Sequence, residues 1–327
     1  MSKSFAAIKV TAMSSPLLLQ QVSDTLTSLE HTFKTMDQDK DGKDLEDYKR
    51  LLTRMEKLCD QAQKTHTRLM IDAEQSYFQP AIDNVALHLQ EHYNNTPHAD
   101  GPLVYNTYQM YLKNALGRLQ QDYTRAHRNG YVLAAKLVRG AYMVNERKRA
   151  SELGQEDPIC TDIEATHKSY NAGVDFMLGE MVHQQQKHDS IKAQGGEYNS
   201  LSLKSSPVVL FVASHNKDSV IRTCERMQEL GLSPQSGLVM FGQLMGMCDQ
   251  ISYTLGQHGY GVYKYVPYGP IHHVIPYLIR RAQENSSVLG GVTVERTLLW
   301  EEVKSRLVKQ KNAHIQPIVP AGPATAL

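Results

Sequence analysis

The stretch Tyr131-Val-Leu-Ala-Ala-Lys136-Leu-Val138-Arg139-Gly140-Ala141-Tyr142 is an apolar run interrupted by Lys136 and closed by a Gly-Ala step. A strand with one wet face alternates apolar and polar residues; a strand buried on both faces does not. Tyr131–Val138 therefore reads as an interior strand of a parallel sheet. Similar runs are Phe5–Ala12, Arg68–Ala73, Pro102–Tyr108, Pro207–Ala213, Gly237–Phe241 and Gly261–Val266. Helical periodicity fills the intervals at Leu17–Leu29, Leu45–Gln63, Gln109–Asn129, His167–Gln185, Lys217–Leu230 and Met245–His258. Strand-then-helix order repeated along a chain defines an α/β protein, either a barrel or a doubly wound sheet. The quoted runs number seven, so either a strand is missed or the chain begins after the first strand of an eight-stranded barrel.

The bulk composition narrows the function classes. The 327 residues carry 35 Lys plus Arg against 34 Asp plus Glu, a net charge of +1. Such a balance gives no general attraction to nucleic acid, and the cations fall at strand ends instead of along one stripe, so no nucleic-acid partner is expected. No apolar run is long enough for a spanning helix. Cys59, Cys160, Cys224 and Cys248 are widely spaced with no CxxC pair, which argues against a zinc knuckle or a disulfide framework and fits a reducing compartment. The opening Met-Ser-Lys-Ser-Phe has no signal-peptide character, and a targeting segment is expected to be absent from this chain. Lys187–Ser206 reads as a polar loop and Asn312–Leu327 as a flexible tail.

In parallel barrels the functional groups sit where strands end. The first visible strand offers Lys9, costly in an apolar run unless it meets an anion or partner; an exposed edge lysine is the plain alternative. The second offers Asp72 and Glu74, at alternate positions of one strand face. The third leads to Tyr108 and Gln109. The fourth carries Lys136, Arg139, Gly140 and Tyr142, and its Gly-Ala step lets a flat ring approach the backbone. The fifth ends in His215, which could equally be a core histidine, and the sixth in Gln243. The last gives Tyr265 and opens Tyr265-Val-Pro-Tyr-Gly-Pro-Ile-His-His-Val-Ile-Pro-Tyr-Leu-Ile-Arg280-Arg281-Ala-Gln-Glu284-Asn285, a strand, a Pro-Gly turn and a helix. Adjacent arginines stand about 100° apart around a helix, so they can flank a small anion with two planar forks. A solvated basic face braced by Glu284 is the alternative. No metal-ligand spacing, nucleophile elbow, P-loop or dinucleotide fingerprint follows any strand. Cations, tyrosines and amides without a nucleophile–base pair suit an anionic small molecule held beside a cofactor that does the chemistry.

Taken in order, Ile8-Lys9-Val-Thr-Ala, Ile71-Asp72-Ala-Glu, Tyr108-Gln109, Lys136 to Tyr142, Ala213-Ser-His215-Asn216, Phe241 to Met247 and Tyr265 to Asn285 resemble FAD-dependent proline dehydrogenase of the eukaryotic mitochondrial type. Each motif alone is weak, but seven in order over Phe5 to Arg306 are specific. The resemblance implies a distorted (βα)8 TIM-type barrel over residues 1–311, with its last helix over the barrel mouth. It implies FAD as cofactor and hydride transfer from C5 of L-proline to flavin N5, giving Δ1-pyrroline-5-carboxylate. It also implies ubiquinone as acceptor and peripheral contact with the matrix side of the mitochondrial inner membrane. Carried over by motif, Lys9, Arg280 and Arg281 would clamp the proline carboxylate. Tyr142 and Tyr265 would wall its ring, Asp72 would orient polar groups and Glu284 would brace an arginine. Lys136 would sit near flavin N5, where the family often has arginine. Gln109, Val138, Gly140, His215 and Gln243 would line the flavin, and Asp157–Tyr170 would meet its adenosine half.

Tyr265 leaves less room beside the ring than the serine common in hydroxyproline dehydrogenases, which favours proline; 4-hydroxyproline oxidation is the alternative within the fold. Asp37, Asp39, Asp41 and Gly42 resemble the first half of an EF-hand loop in an insertion at 31–50. Asp44 and Tyr48 break the second half, so the loop is expected to be degenerate and no metal is assigned. A non-catalytic, calcium-responsive binding protein is the alternative of another class. A missing first strand would expose two strand edges that a neighbouring chain or a shifted N-terminal segment would have to cover.

Overall fold

The computed structural model describes residues 4–31, 43–95, 101–192 and 206–284, and further on 296–297, 300–301 and 303–304. Parallel strands run β1 (Ser4–Ile8), β2 (Thr67–Ile71), β3 (Val104–Gln109), β4 (Leu133–Val138), β5 (Val208–Ala213), β6 (Val239–Leu244) and β7 (Gly261–Tyr265), ordered as in the chain. Helices alternate with them: α1 (Pro16–His31), α2 (Lys43–Lys64), α3 (Gln79–Tyr93), α4 (Ala115–Asn129), α5 (Met143–Glu152), α6 (Ile163–Lys192), α7 (Lys217–Glu229), α8 (Asp249–Gln257) and α9 (Ile271–Glu284). Contacts divide the chain into two compact units, residues 1–212 with 236–239, and residues 213–235 with 240–327.

In the first unit one sheet face packs on helices. Leu69, Ile71 and Val104 join Leu19 of α1, Leu51 and Met55 of α2, and Ile82, Val85 and Leu89 of α3 in one buried cluster. The other face carries Phe5, whose ring meets Tyr105 and Phe211 edge-on at 5.5 and 5.3 Å, with Arg68 over it. Continuous apolar patterning is thus explained for β4 and β5, buried in all but their last residue, while β3 is buried along its whole length with its polar Asn106, Thr107 and Gln109 included. β1 is half exposed.

The predicted boundaries move where turns intervene. Phe5–Ala12 stops as a strand at Ile8, because Val10–Ala12 coil into a 3-10 turn. Gln109 closes β3 instead of opening a helix, and α4 begins at Ala115. β6 starts later and runs further than expected, to Leu244, so α8 starts only at Asp249. Lys187–Lys192, read as loop, continue α6; residues 193–205 lie outside the described region. α3 and α5 were not predicted. The signal for α3 was present: Pro80 in the first turn and apolar residues at 82, 85, 86 and 89. The Asp37–Gly42 loop and the 312–327 tail lie outside the described residues. Among the described residues no helix is long and apolar enough to cross a membrane.

Candidate active site

Parallel register decides which side chains meet in the first unit. Ile8 pairs with Ile71, Ile71 with Asn106, and Thr107 with Lys136. The β1–β2 ladder continues one residue further, since the Asp72 amide donates to the Ile8 carbonyl at 2.8 Å. Lys9, Asp72, Thr107 and Lys136 therefore fall at one level on one face. Lys136, only 8% exposed, donates to Asp72 Oδ1 at 2.6 Å. Burying this ammonium without a partner would cost several kcal/mol, and Asp72 offsets that cost.

Lys9 Nζ donates to Tyr142 Oη at 3.2 Å. Partial burial works to lower the Lys9 pKa, but Tyr142, Asp72 and Glu74 together outweigh it and hold the ammonium above its ordinary range. Asp72 and Glu74 were expected to share a face; instead they part beyond the end of β2. The Glu74 carboxylate accepts from the Thr11 hydroxyl at 2.7 Å and the Thr11 amide at 3.2 Å, which pins the turn after Lys9. The Glu74 amide donates to Gln79 Oε1 and its carbonyl accepts from Gln109 Nε2. Gln109 Oε1 accepts from the buried Tyr111 hydroxyl, which in turn accepts from the Tyr142 amide at 3.3 Å. Burial is the main cause of the upward shift of the Tyr111 phenol, so it stays protonated and able to donate to Gln109.

After Val138 the chain turns through Gly140 at φ +52°, a left-handed conformation that favours glycine. Arg139 lays its guanidinium over the Tyr170 ring, 3.7 Å from the centroid. Further on, His167 Nδ1 is buried without a hydrogen-bond partner among the described residues.

In the second unit His215 follows β5. Its Nε2 accepts from the Leu244 amide at 3.0 Å, so the imidazole is neutral with its proton on Nδ1. Burial and then the Lys264 charge push its pKa down from 6.5 to about 4. The unfolded chain therefore takes up this proton first as pH falls. The stability this histidine contributes is full above pH 6.5 and is lost between pH 6.5 and about 4. That interval is worth at most about 3 kcal/mol. The loss is expected to shrink in His215→Gln, whose amide oxygen can still accept from Leu244. Urea unfolding of both proteins at pH 7.5, 6 and 5 checks it; parallel pH dependences would refute it.

Gln243, 2% exposed, is engaged at both ends: Nε2 by the Ser214 carbonyl and Oε1 by the Ser252 hydroxyl at 2.8 Å. Tyr265 is 41% exposed, with its ring 6.1 Å from that of Tyr277 on α9. The segment before α9 contains Gly269 at φ +146°, a backbone conformation that residues with side chains rarely adopt. Arg280, Arg281 and Glu284 lie in the last turn of α9; their side chains lie outside the described residues.

The structure thus brings Lys9 to Tyr142 and Asp72 to Lys136, and it ties Gln109 to both strand-end loops. Sequence reasoning missed Thr11, Tyr111 and Glu146 as the groups that brace them. Tyr111 lies in the turn just beyond Gln109, where strand parity no longer tells which way a side chain points.

A parallel sheet alternating with helices, with charged and aromatic groups at its strand ends, defines an α/β protein of the distorted TIM-barrel type. Proline utilization A from Bdellovibrio bacteriovorus shares that fold at a TM-score of 0.64 and 20% identity, over 85% of this chain and 24% of that one. Residues 3–293 match the family described as "Proline dehydrogenase", and the chain belongs to it. It is 48% identical to human "Proline dehydrogenase 1, mitochondrial" over 258 residues, 79% of this chain and 39% of that protein. It is 43% identical to Xenopus laevis "Hydroxyproline dehydrogenase", again over 79% of this chain and over 50% of the relative. The chain therefore spans half or less of the length of these curated relatives.

Proposed function

We propose that this chain oxidises L-proline to Δ1-pyrroline-5-carboxylate with FAD as its cofactor, ubiquinone as final acceptor and the mitochondrion as its site of action. Family membership carries the reading, together with the Lys136–Asp72 and Lys9–Tyr142 pairs near the strand ends. The residues fit a flavin. Lys136 is a buried cation near a strand end, Gly140 turns the backbone without a side chain, and His167, within Asp157–Tyr170, has a buried ring nitrogen with no hydrogen-bond partner among the described residues. Lys136, Gln109, Val138, Gly140, His215 and Gln243 would hold the group. When bound, FAD supplies the hydride acceptor.

The chain's own residues bind and orient. Lys9, Arg280 and Arg281 hold the carboxylate, with Glu284 bracing an arginine. Tyr142 and Tyr265 confine the ring and exclude water from C5. Asp72 fixes Lys136, whose point charge lacks the planar fork of arginine. The mitochondrial name of the human relative supports the location.

The test is anaerobic addition of L-proline to the purified protein while the oxidised flavin band is watched. Bleaching by proline with a much weaker response to 4-hydroxy-L-proline is expected. The 43% identity to a hydroxyproline dehydrogenase favours a second reading, which the reverse preference would establish. A flavin band that neither amino acid bleaches would refute both.

A further inference from the structure

Glu146 is a buried carboxylate, 4% exposed, inside the charged run Asn145-Glu-Arg-Lys-Arg149 of α5. Such a run reads as a solvated face, and burial there needs a reason. The carboxylate accepts from the Ser76 amide at 2.7 Å and from the Ser76 hydroxyl. One turn on, Arg149 lies over the neighbouring Tyr77 ring, 4.2 Å from its centroid. One helix face thus grips two consecutive residues of the loop between β2 and α3, using positions three apart.

That loop carries Asp72, paired with Lys136, and Glu74, which pins the turn after Lys9. The other end of the grip is as close to the candidate site. The Glu146 amide donates to the Tyr142 carbonyl at 3.0 Å, so Glu146 stands in the first turn that Tyr142 opens. A shift of α5 would move Tyr142 and, through Ser76, the Asp72 loop as well. Charge-assisted hydrogen bonds are short and directional, which suits a register-setting contact better than an apolar one.

We propose that Glu146 is a positioning residue for substrate: through Ser76 it fixes the Asp72–Phe78 loop against Tyr142, and so sets the spacing among Lys9, Tyr142 and the Asp72–Lys136 pair. The inference rests on the proline-oxidation reading and adds a residue to it.

Glu146→Gln keeps the side chain's shape and removes its charge. KM for L-proline is expected to rise about tenfold with kcat within about twofold of wild type, because ground-state positioning is lost while the hydride-transfer groups remain. The affinity for tetrahydrofuran-2-carboxylate, a ring-oxygen analogue with no amine to oxidise, should weaken in parallel, as read from the flavin spectrum. Ser76→Ala removes only the hydroxyl and should raise KM about threefold, with the double variant no worse than Glu146→Gln alone. If Glu146→Gln fails to fold, Ser76→Ala carries the test. A lower Tm with KM and analogue affinity unchanged would reduce Glu146 to a structural residue and overturn the proposal. Wild-type protein whose flavin proline does not bleach would take down the proposed function and this inference with it.

Discussion

Arg281→Met is expected to raise KM for L-proline by two to three orders of magnitude while leaving flavin content unchanged. The reason lies in what methionine cannot do. It matches the arginine stem in length and apolar packing but brings no charge and no donor. Truncating one partner of a desolvated, hydrogen-bonded charge pair costs about 2–5 kcal/mol. At about 1.4 kcal/mol per factor of ten, that is a loss of affinity of roughly thirtyfold to several thousandfold. Arg281→Lys keeps the charge and loses the planar fork, so it should fall between, at roughly ten- to thirtyfold. Arg280 and Arg281 are successive residues of α9, set about 100° apart around its axis. Both variants therefore test whether two forks flank one anion, or whether one of them is solvated. Steady-state kinetics with proline, at matched flavin content, checks the ordering Arg, Lys, Met. A KM within threefold of wild type for Arg281→Met would show that this arginine does not bind the carboxylate.

Much of this arrangement was legible in the sequence, for identifiable reasons. Strands buried on both faces show no alternation, so β4 and β5 stood out as runs of Val, Leu and Ala. Lys136 was conspicuous because it interrupts such a run, and its burial against Asp72 explains how the interruption is tolerated. Pairing partners were harder to read. That Asp72 meets Lys136 while Glu74 turns to Thr11 depends on where β2 ends, and strand ends are set by ladder contacts absent from the sequence. The partners of Gln243 and His215 were equally hidden: Gln243 is spanned by Ser214 and Ser252, and His215 accepts from the Leu244 amide, in line with the core-histidine alternative. Backbone donors and hydroxyls distant in sequence satisfy them, and no local pattern announces that. Glu146 was hidden for the reverse reason: its neighbours are charged and exposed, so its burial contradicts its setting.

The Lys136–Asp72 pair yields the second large effect, on stability instead of turnover. Asp72→Ala leaves the Lys136 ammonium in a site where its side chain is 10% exposed, without the carboxylate that sat 2.6 Å away. Removing one member of a buried pair typically costs about 3–5 kcal/mol, because the remaining charge stays desolvated. The Asp72 side chain is itself 20% exposed, so some water can reach the gap, and the lower end, about 3 kcal/mol, is expected. Replacing both partners by apolar groups of similar shape removes the stranded charge as well. Asp72→Ala combined with Lys136→Met should therefore recover at least half of the loss, although it carries one more substitution. Chemical unfolding followed by far-ultraviolet circular dichroism, on wild type, single and double variants at pH 7.5, reads the ordering directly. A double variant less stable than Asp72→Ala would mean that Lys136 finds another anion or water once Asp72 is gone. The pair would then be held together for its position at the strand ends, not for the energy it contributes to the fold.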